Sequence, residues 1–506
     1  MASSLLPVPA AAQQSVAAPS LPELLTNLES FASSAMVEEK IPGMAYAVVK
    51  DDQVVFAKGF GVKKLGESAP IDDHTIFEVG STTKAFTAAL LGMLVDEGKL
   101  SWDDRVVDIL PDFRMYEPYV TRELRIADLV SQRSGTPAYS LDMMSYLGFS
   151  RTAIEHAIRH VEPATSFRST FGYVNHMWLI AGRVVEKVSG FPWEANLDRR
   201  IFGPLGMRES TADPEIVPLL PDVAVGHSDF FGGVLRPLPP DWPYRSWLDV
   251  YGPAGNIRSN VLDMAFWARL HLGRGRFEGT QIVKADTVDT LHASRVLIAA
   301  QDGKTLSYAS GWLRQEDPQG TIVWHNGETA GMHSIVALYP SSKMALIVLT
   351  NTNINHLPER MKEKLFDLLH PAVAQASVSS NARRSPTLAV AELALQDAPP
   401  RPSALVRPLI PIPSLPLARY TGTYENPAYG RAVVKEKNGA LVLVIGPLAL
   451  EAPILPYSGN TWTLHFPDGP RPDTVLTFSL RPGQPADRFV AAVFDEVRGG
   501  TFTRVP

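Results

Sequence analysis

The chain has 506 residues, a formal net charge of −6, 45% hydrophobic and 20% charged residues, and no cysteine. That is the make-up of a globular chain long enough for two domains with ample core. The acidic balance offers no basic face for nucleic acid or anionic lipid, and no apolar run is long enough to span a bilayer. The missing thiols remove disulfides, thiolate catalysis and thiolate metal sites together.

Residues 1–20, "MASSLLPVPAAAQQSVAAPS", read as a disordered tail or the remnant of an export signal. They carry a short apolar stretch and three alanines before Gln13, but no positively charged start. Export to a periplasm follows from the signal reading, a cytoplasmic protein from the other. Leu24, Leu25, Leu28 and Phe31 then recur at helical spacing. "GMAYAVVKDDQVVFAKGFG" reads as a β-hairpin turning at Asp51–Asp52. A largely helical stretch runs from Ser81 to about Leu272. It is interrupted between Ser228 and Gly252 by a loop dense in proline and aromatics. There Trp242, Tyr244, Trp247 and Tyr251 read either as a substrate-lining lid or as loop packing.

The chain returns to strands with "YASGWLRQ", "GTIVWHNG", "MHSIVALYP" and "KMALIVLTN". Strands at both ends and helices between predict one α+β domain over 21–370, its antiparallel sheet assembled from the two chain ends and flanked by helices. Residues 371–416 are rich in proline ("APPRPS", "RPLIPIPSLP") and read as a connector. Residues 417–506 hold short strand runs punctuated by turns, with Asn438–Gly439 placed as a hairpin turn. They predict a small all-β barrel without a catalytic cluster.

The chemistry-bearing residues fall in three places. "FEVGSTTKAFTAALLGMLVDEGKL" puts Ser81 and Lys84 three residues apart at the first turn of an apolar helix. A serine there serves as a helix cap, or as a nucleophile with a lysine base one turn along. "YVN" places Tyr173 and Asn175 just before another apolar helix, and "HNG" places His325, Asn326 and Gly327 at the end of a late strand. Each is weak alone. Three in this order, each in a fitting local context, point to acyl transfer through Ser81.

With these motifs the sequence resembles the serine β-lactamase and penicillin-binding-protein superfamily, in particular the branch of class C β-lactamases, D-aminopeptidases and related esterases. The resemblance covers roughly residues 21–370 and extends to "LVSQRSGTP", "IFGPLGM" and "GPAGNIRSNVLDMAFWARLHLG". The C-terminal module is similar to the lipocalin-like domain that some relatives carry. The resemblance implies that Ser81 is the acylated nucleophile, Lys84 its base, and Tyr173 an acid/base partner held phenolate-like by Lys84. Asn175 would bind the substrate's acyl-side amide, and the backbone N–H groups of Ser81 and Glu328 would form the oxyanion hole. His325, Gly327 and Glu328 would line the substrate.

The third motif departs from the family's K-T-G. His325 replaces a fixed cation by a titrating group, and Glu328 adds a negative charge nearby. Both weaken the case for β-lactams and carboxylate-terminated peptides. The expectation is therefore a serine hydrolase acting on a small ester, amide or short peptide, with β-lactamase activity weak at most. Acyl transfer to another acceptor and a non-turnover sensor are the alternatives. No cofactor, metal or nucleic-acid partner is expected, and a homo-oligomer is left open.

Overall fold

The structure, a computed structural model, describes residues 19–230, 232–371, 412, 414–469, 473–494 and 500–506. The tail or signal reading of residues 1–20 and the connector reading of 371–416 fall almost wholly outside the described residues.

Helix α1, Leu21–Glu38, is capped by Ser20, whose N–H and hydroxyl both donate to Glu23. It buries Leu24, Leu28, Ala32 and Ala35. The hairpin follows as β1, Gly43–Lys50, and β2, Gln53–Gly61. Asp51 and Asp52 take φ of 47° and 64°, the left-handed pair that a two-residue hairpin turn requires. Three longer helices mark the middle of the domain: α2, Thr83–Asp96; α3, His176–Ser189; and α4, Val261–Leu272. Every residue of α2 from Thr83 to Leu94 is buried, which is why its sequence is apolar all round rather than on one stripe.

The late strands are β3, Val296–Gln301; β4, Lys304–Tyr308; β5, Leu313–Asp317; β6, Gly320–Glu328; β7, His333–Tyr339; and β8, Met344–Thr350. They join the hairpin in one antiparallel sheet of order β2-β1-β8-β7-β6-β5-β4-β3. β1 zips to β8 from Met44↔Thr350 to Lys50↔Met344, so strands from the two ends of this domain do pair side by side. β7 and β8 are buried at every residue and read accordingly as continuous apolar runs. α5, Leu357–Leu369, packs on one face with α1, and α4 packs on the other.

Two local readings change. "YASGWLRQ" is not one strand: β4 stops at Tyr308 and the chain turns through Gly311 before β5. Gly311 has φ +74°, and a Cβ there would sit 2.7 Å from the Lys84 carbonyl oxygen, so only glycine permits this approach to α2. β3 extends the sheet one strand beyond the predicted set, its half-exposed sequence carrying no strong alternation.

Eight strands between Gly422 and Val505 close into a barrel. The hairpin turn Asn438–Gly439 has φ of 53° and 75°, and Tyr424, Leu443, Ile454, Trp462, Phe489 and Phe502 fill the interior. The barrel docks against the segment around Leu147 and the aromatic loop. Leu448 packs at Gly148, and its N–H donates to the Leu147 carbonyl at 3.3 Å. Trp242 Nε1 donates to the Asp468 carbonyl at 2.8 Å, and the Tyr244 hydroxyl to the Pro467 carbonyl at 3.2 Å. Trp247 stacks on Tyr146 with ring centroids 5.0 Å apart, and Trp242, Tyr244 and Tyr251 are buried. The aromatic loop is thus a packing and docking element rather than a lid.

Removing residues 417–506 strips Trp242 and Tyr244 of their acceptors and uncovers Leu147. The truncated chain is expected to melt at lower temperature while Ser81 still reacts with an activated ester. Trp242→Phe in the full chain should cost about 0.5–1.5 kcal/mol of stability, the range for one hydrogen bond. Identical melting of the full and truncated chains would show that this interface contributes nothing.

Candidate functional site

The site is built where the end of β6 meets the turn that starts α2. Ser81 lies in a single 3-10 turn, Gly80–Thr82, which runs directly into α2. Gly80 has φ +54°, and a Cβ on it would sit 2.9 Å from both the N and O of Glu328. A Cβ on Gly327 would sit 2.0 Å from the Val79 oxygen and 2.8 Å from the Ser81 nitrogen. The two glycines therefore let backbone lie on backbone, bringing the Ser81 and Glu328 amides to one place. Hydroxyls hold the turn: Ser334 Oγ and Thr82 Oγ1 both donate to the Val79 carbonyl, at 2.7 and 3.0 Å.

Lys84 is wholly buried. Its Nζ donates to Ser81 Oγ at 2.8 Å and to the Ala254 carbonyl at 3.0 Å, and lies over the Tyr173 ring, 4.8 Å from its centroid. Burial pushes its pKa down to about 7, with Asp142 opposing weakly. A free amine can therefore face the serine at neutral pH.

Tyr173 reaches the site on the loop before α3, and that loop is pinned by Gln132. The Gln132 side chain accepts from Val174 N–H at 2.8 Å, and its carbonyl accepts from Gly172 N–H at 2.9 Å. Behind it, Asp128 is buried against Arg133 and Arg168 at 2.8 and 2.6 Å. The Tyr173 hydroxyl shares a hydrogen bond with Ser81, but burial raises its pKa well above the ordinary phenol value. The phenolate-like expectation is corrected here. Desolvation favours the neutral form of both groups, so Tyr173 stays a phenol and Lys84 offers a free amine near neutral pH.

His325, expected to titrate near neutral pH, is held neutral instead. Its Nδ1–H donates to the Asn326 carbonyl at 2.5 Å, so Nε2 is the acceptor, 3.1 Å from the Tyr308 hydroxyl. Burial, then the neighbouring Lys84, push its pKa down to about 3. It is a neutral wall group with both ring nitrogens engaged. The Glu328 side chain is exposed; by strand alternation it shares the face of its register partner His333, opposite the face that carries Gly327 and Ser334. Its charge is directed away from the serine. Asn175 stands at the edge of the site, where Nδ2 donates to Asp142 Oδ2 at 2.9 Å.

The structure thus brings together Ser81, Lys84, Tyr173, His325, Gly327 and the Glu328 backbone, with Asn175 beside them. Tyr308, Asp142 and the Ala254 carbonyl were missed by sequence reasoning. Tyr308 closes a strand-like run and Asp142 opens a short helix, and neither position carries a sequence signal. Among the described residues no group of three or more His, Asp or Glu is placed to hold a metal, and no helix is long and apolar enough to cross a membrane.

The chain belongs to the Beta-lactamase family, whose model matches residues 28–369. A second model, a domain of unknown function (DUF3471), matches residues 406–499. The chain is 29% identical over 428 residues to unguisins hydrolase ungD′ of Aspergillus campestris, covering 78% of this chain and 74% of that one. It is 29% identical over 331 residues to penicillin-binding protein 4 of Amycolatopsis lactamdurans, covering 63% of this chain and 82% of that one. The octameric penicillin-binding protein homologue from Pyrococcus abyssi shares the fold, with a TM-score of 0.61 at 23% identity over 90% of this chain and 96% of that one.

If Lys84 acts as the base, kcat/KM for a neutral ester should rise with pH through about 7 and then level, because the free amine is the active form. A lysine left at 10.5 would place that limb more than three pH units higher. A pH–rate profile measured from pH 5 to 11 separates the two.

Proposed function

We propose that this protein is a serine hydrolase that cleaves an ester or amide bond through an acyl-enzyme on Ser81. The observation that carries the reading is the 2.8 Å contact between the Ser81 hydroxyl and a fully buried lysine whose pKa burial lowers to about 7. A lysine kept only for structure would gain nothing from losing its hydration. The hydrolase names of relatives such as the Aspergillus protein support turnover over mere acylation.

In the proposed reaction Ser81 Oγ attacks the carbonyl carbon while its proton passes to Lys84 Nζ. Negative charge develops on the carbonyl oxygen, which the Ser81 and Glu328 N–H groups would stabilise at the start of α2. The C–O or C–N bond then breaks, and the leaving atom takes a proton from Lys84 directly or through the Tyr173 phenol. Water, deprotonated by the same pair, attacks the acyl-serine and frees the acid. Tyr173 suits the relay because it is neutral, shares a hydrogen bond with Ser81, and lies against Lys84.

The substrate we propose lacks a carboxylate beside the scissile bond. His325 stays neutral and has no ring N–H free to donate, so no charge-assisted bond to an anion is available from the third motif. The missing contact is worth roughly 1.5–3 kcal/mol, about one to two decades in binding. The octamer of the Pyrococcus relative supports self-association as part of the proposal, which light scattering would test.

Ser81→Ala should abolish turnover of p-nitrophenyl butyrate while the circular dichroism spectrum is retained. Intact-mass analysis after a fluorophosphonate should show one adduct on wild type and none on the variant. A label carried by another residue with Ser81 spared would overturn the reading, and a single stoichiometric burst without turnover would favour a sensor. For matched ester substrates, the neutral member should exceed the carboxylate-bearing one at least roughly tenfold in kcat/KM at pH 8. His325→Lys should narrow that gap.

A further inference from the structure

On the face of the sheet opposite Ser81, the tips of β6 and β7 are bound by a buried charged cluster that the reaction above does not use. Glu359, in the first turn of α5, accepts from two strands on one oxygen. Asn326 Nδ2 on β6 lies 2.7 Å from Glu359 Oε1, and His333 Nε2 on β7 lies 3.0 Å from the same atom. His333 Nδ1 faces the Asn355 carbonyl at 3.0 Å. With Glu359 ionised, both ring nitrogens meet acceptors, so both carry hydrogen and the ring is a cation. The protonation balance agrees. Burial works against a charged His333, but the charge and hydrogen bond of Glu359 outweigh it and raise its pKa to about 9, with Glu328 adding to the effect. Glu359 and His333 are 4% and 6% exposed, so this is an ion pair withdrawn from water.

Its position matters more than its strength. His333 is the register partner of Glu328, and Ser334 is the partner of Gly327. On the front face Ser334 bonds the Val79 carbonyl, and Gly327 lies against the Ser81 nitrogen. The residues tied to Glu359 on the back therefore alternate with those that touch the nucleophile turn on the front. A buried ion pair is a poor source of net stability, because desolvation offsets much of the attraction. Its directional bonds do fix geometry.

We propose that Glu359 and His333 are positioning residues that cross-brace β6 and β7, holding the Gly327–Glu328 peptide against Ser81 so that the two backbone N–H groups converge on the reacting oxygen. This rests on the acyl-enzyme reading of Ser81. Oxyanion donors act only at hydrogen-bond distance, and displacement by about 1 Å costs on the order of a hundredfold in rate.

The test uses the full chain with p-nitrophenyl butyrate, and the rate of fluorophosphonate labelling at Ser81 as a second readout. Glu359→Gln and His333→Gln should each lower kcat by roughly ten- to a hundredfold with KM changed less than about twofold. Labelling should slow in parallel, and the double variant should be no worse than the weaker single. Should a single variant fail to fold, His333→Met combined with Glu359→Leu and Asn326→Leu replaces the pair and its amide partner by apolar groups, a change that buried pairs tolerate. It should melt normally yet show the same loss of kcat. Unchanged kcat in folded variants, additive losses, or a loss confined to KM overturns the bracing role while leaving the hydrolase reading intact. A wild type that neither turns over nor labels at Ser81 overturns both.

Discussion

Everything about the candidate site depends on withdrawing Lys84 from water. An ammonium in the interior has lost its hydration, and its partners here are a hydroxyl, a carbonyl and the face of an aromatic ring. The group answers by giving up its proton more readily. The same low polarity keeps Tyr173 a phenol and His325 a neutral imidazole. One physical cause, desolvation where the sheet meets α2, thereby shifts three protonation equilibria that a sequence of titratable residues leaves undetermined.

The second constraint is backbone proximity. The end of β6 can lie on the nucleophile turn only because Gly80 and Gly327 have no side chains. Around that contact the fold spends polar groups freely. Hydroxyls of Thr82 and Ser334 grip the Val79 carbonyl, Gln132 pins the Tyr173 loop, and Asp128 behind it is held by two arginines. These groups lie outside the Ser81–Lys84 pair, and their common effect is to remove freedom from the backbone that carries it. The "LVSQRSGTP" stretch has its physical explanation here, as the support of the loop that delivers Tyr173.

The barrel stands in a different relation to the site. Its described residues contribute none of the site's side chains, yet it seats against the loop and short helix near Asp142, the residue to which Asn175 donates. Aromatic residues that look like a lid in the sequence are occupied in that seat. Trp and Tyr suit it because each offers a large apolar body together with one donor for a carbonyl of the partner surface.

Much was legible from the residues alone. Alternation and turn chemistry marked the first hairpin and the Asn438–Gly439 turn, because both depend on neighbours in sequence. The pairing of early and late strands followed from the rule that strands need partners, and S-x-x-K, Y-x-N and H-x-G picked out residues that the fold gathers at one place. What the tertiary structure decided was every property that depends on surroundings. Burial by segments far along the chain lowers the pKa of Lys84, and burial, then the neighbouring Lys84, keeps His325 neutral while the Tyr308 hydroxyl meets its second nitrogen. Glu328 turns from Ser81 because pairing with His333 assigns it to the other face. Motif spacing records which groups the chain carries; protonation, tautomer and facing are set by solvent exclusion and strand register, which exist only once distant segments have packed.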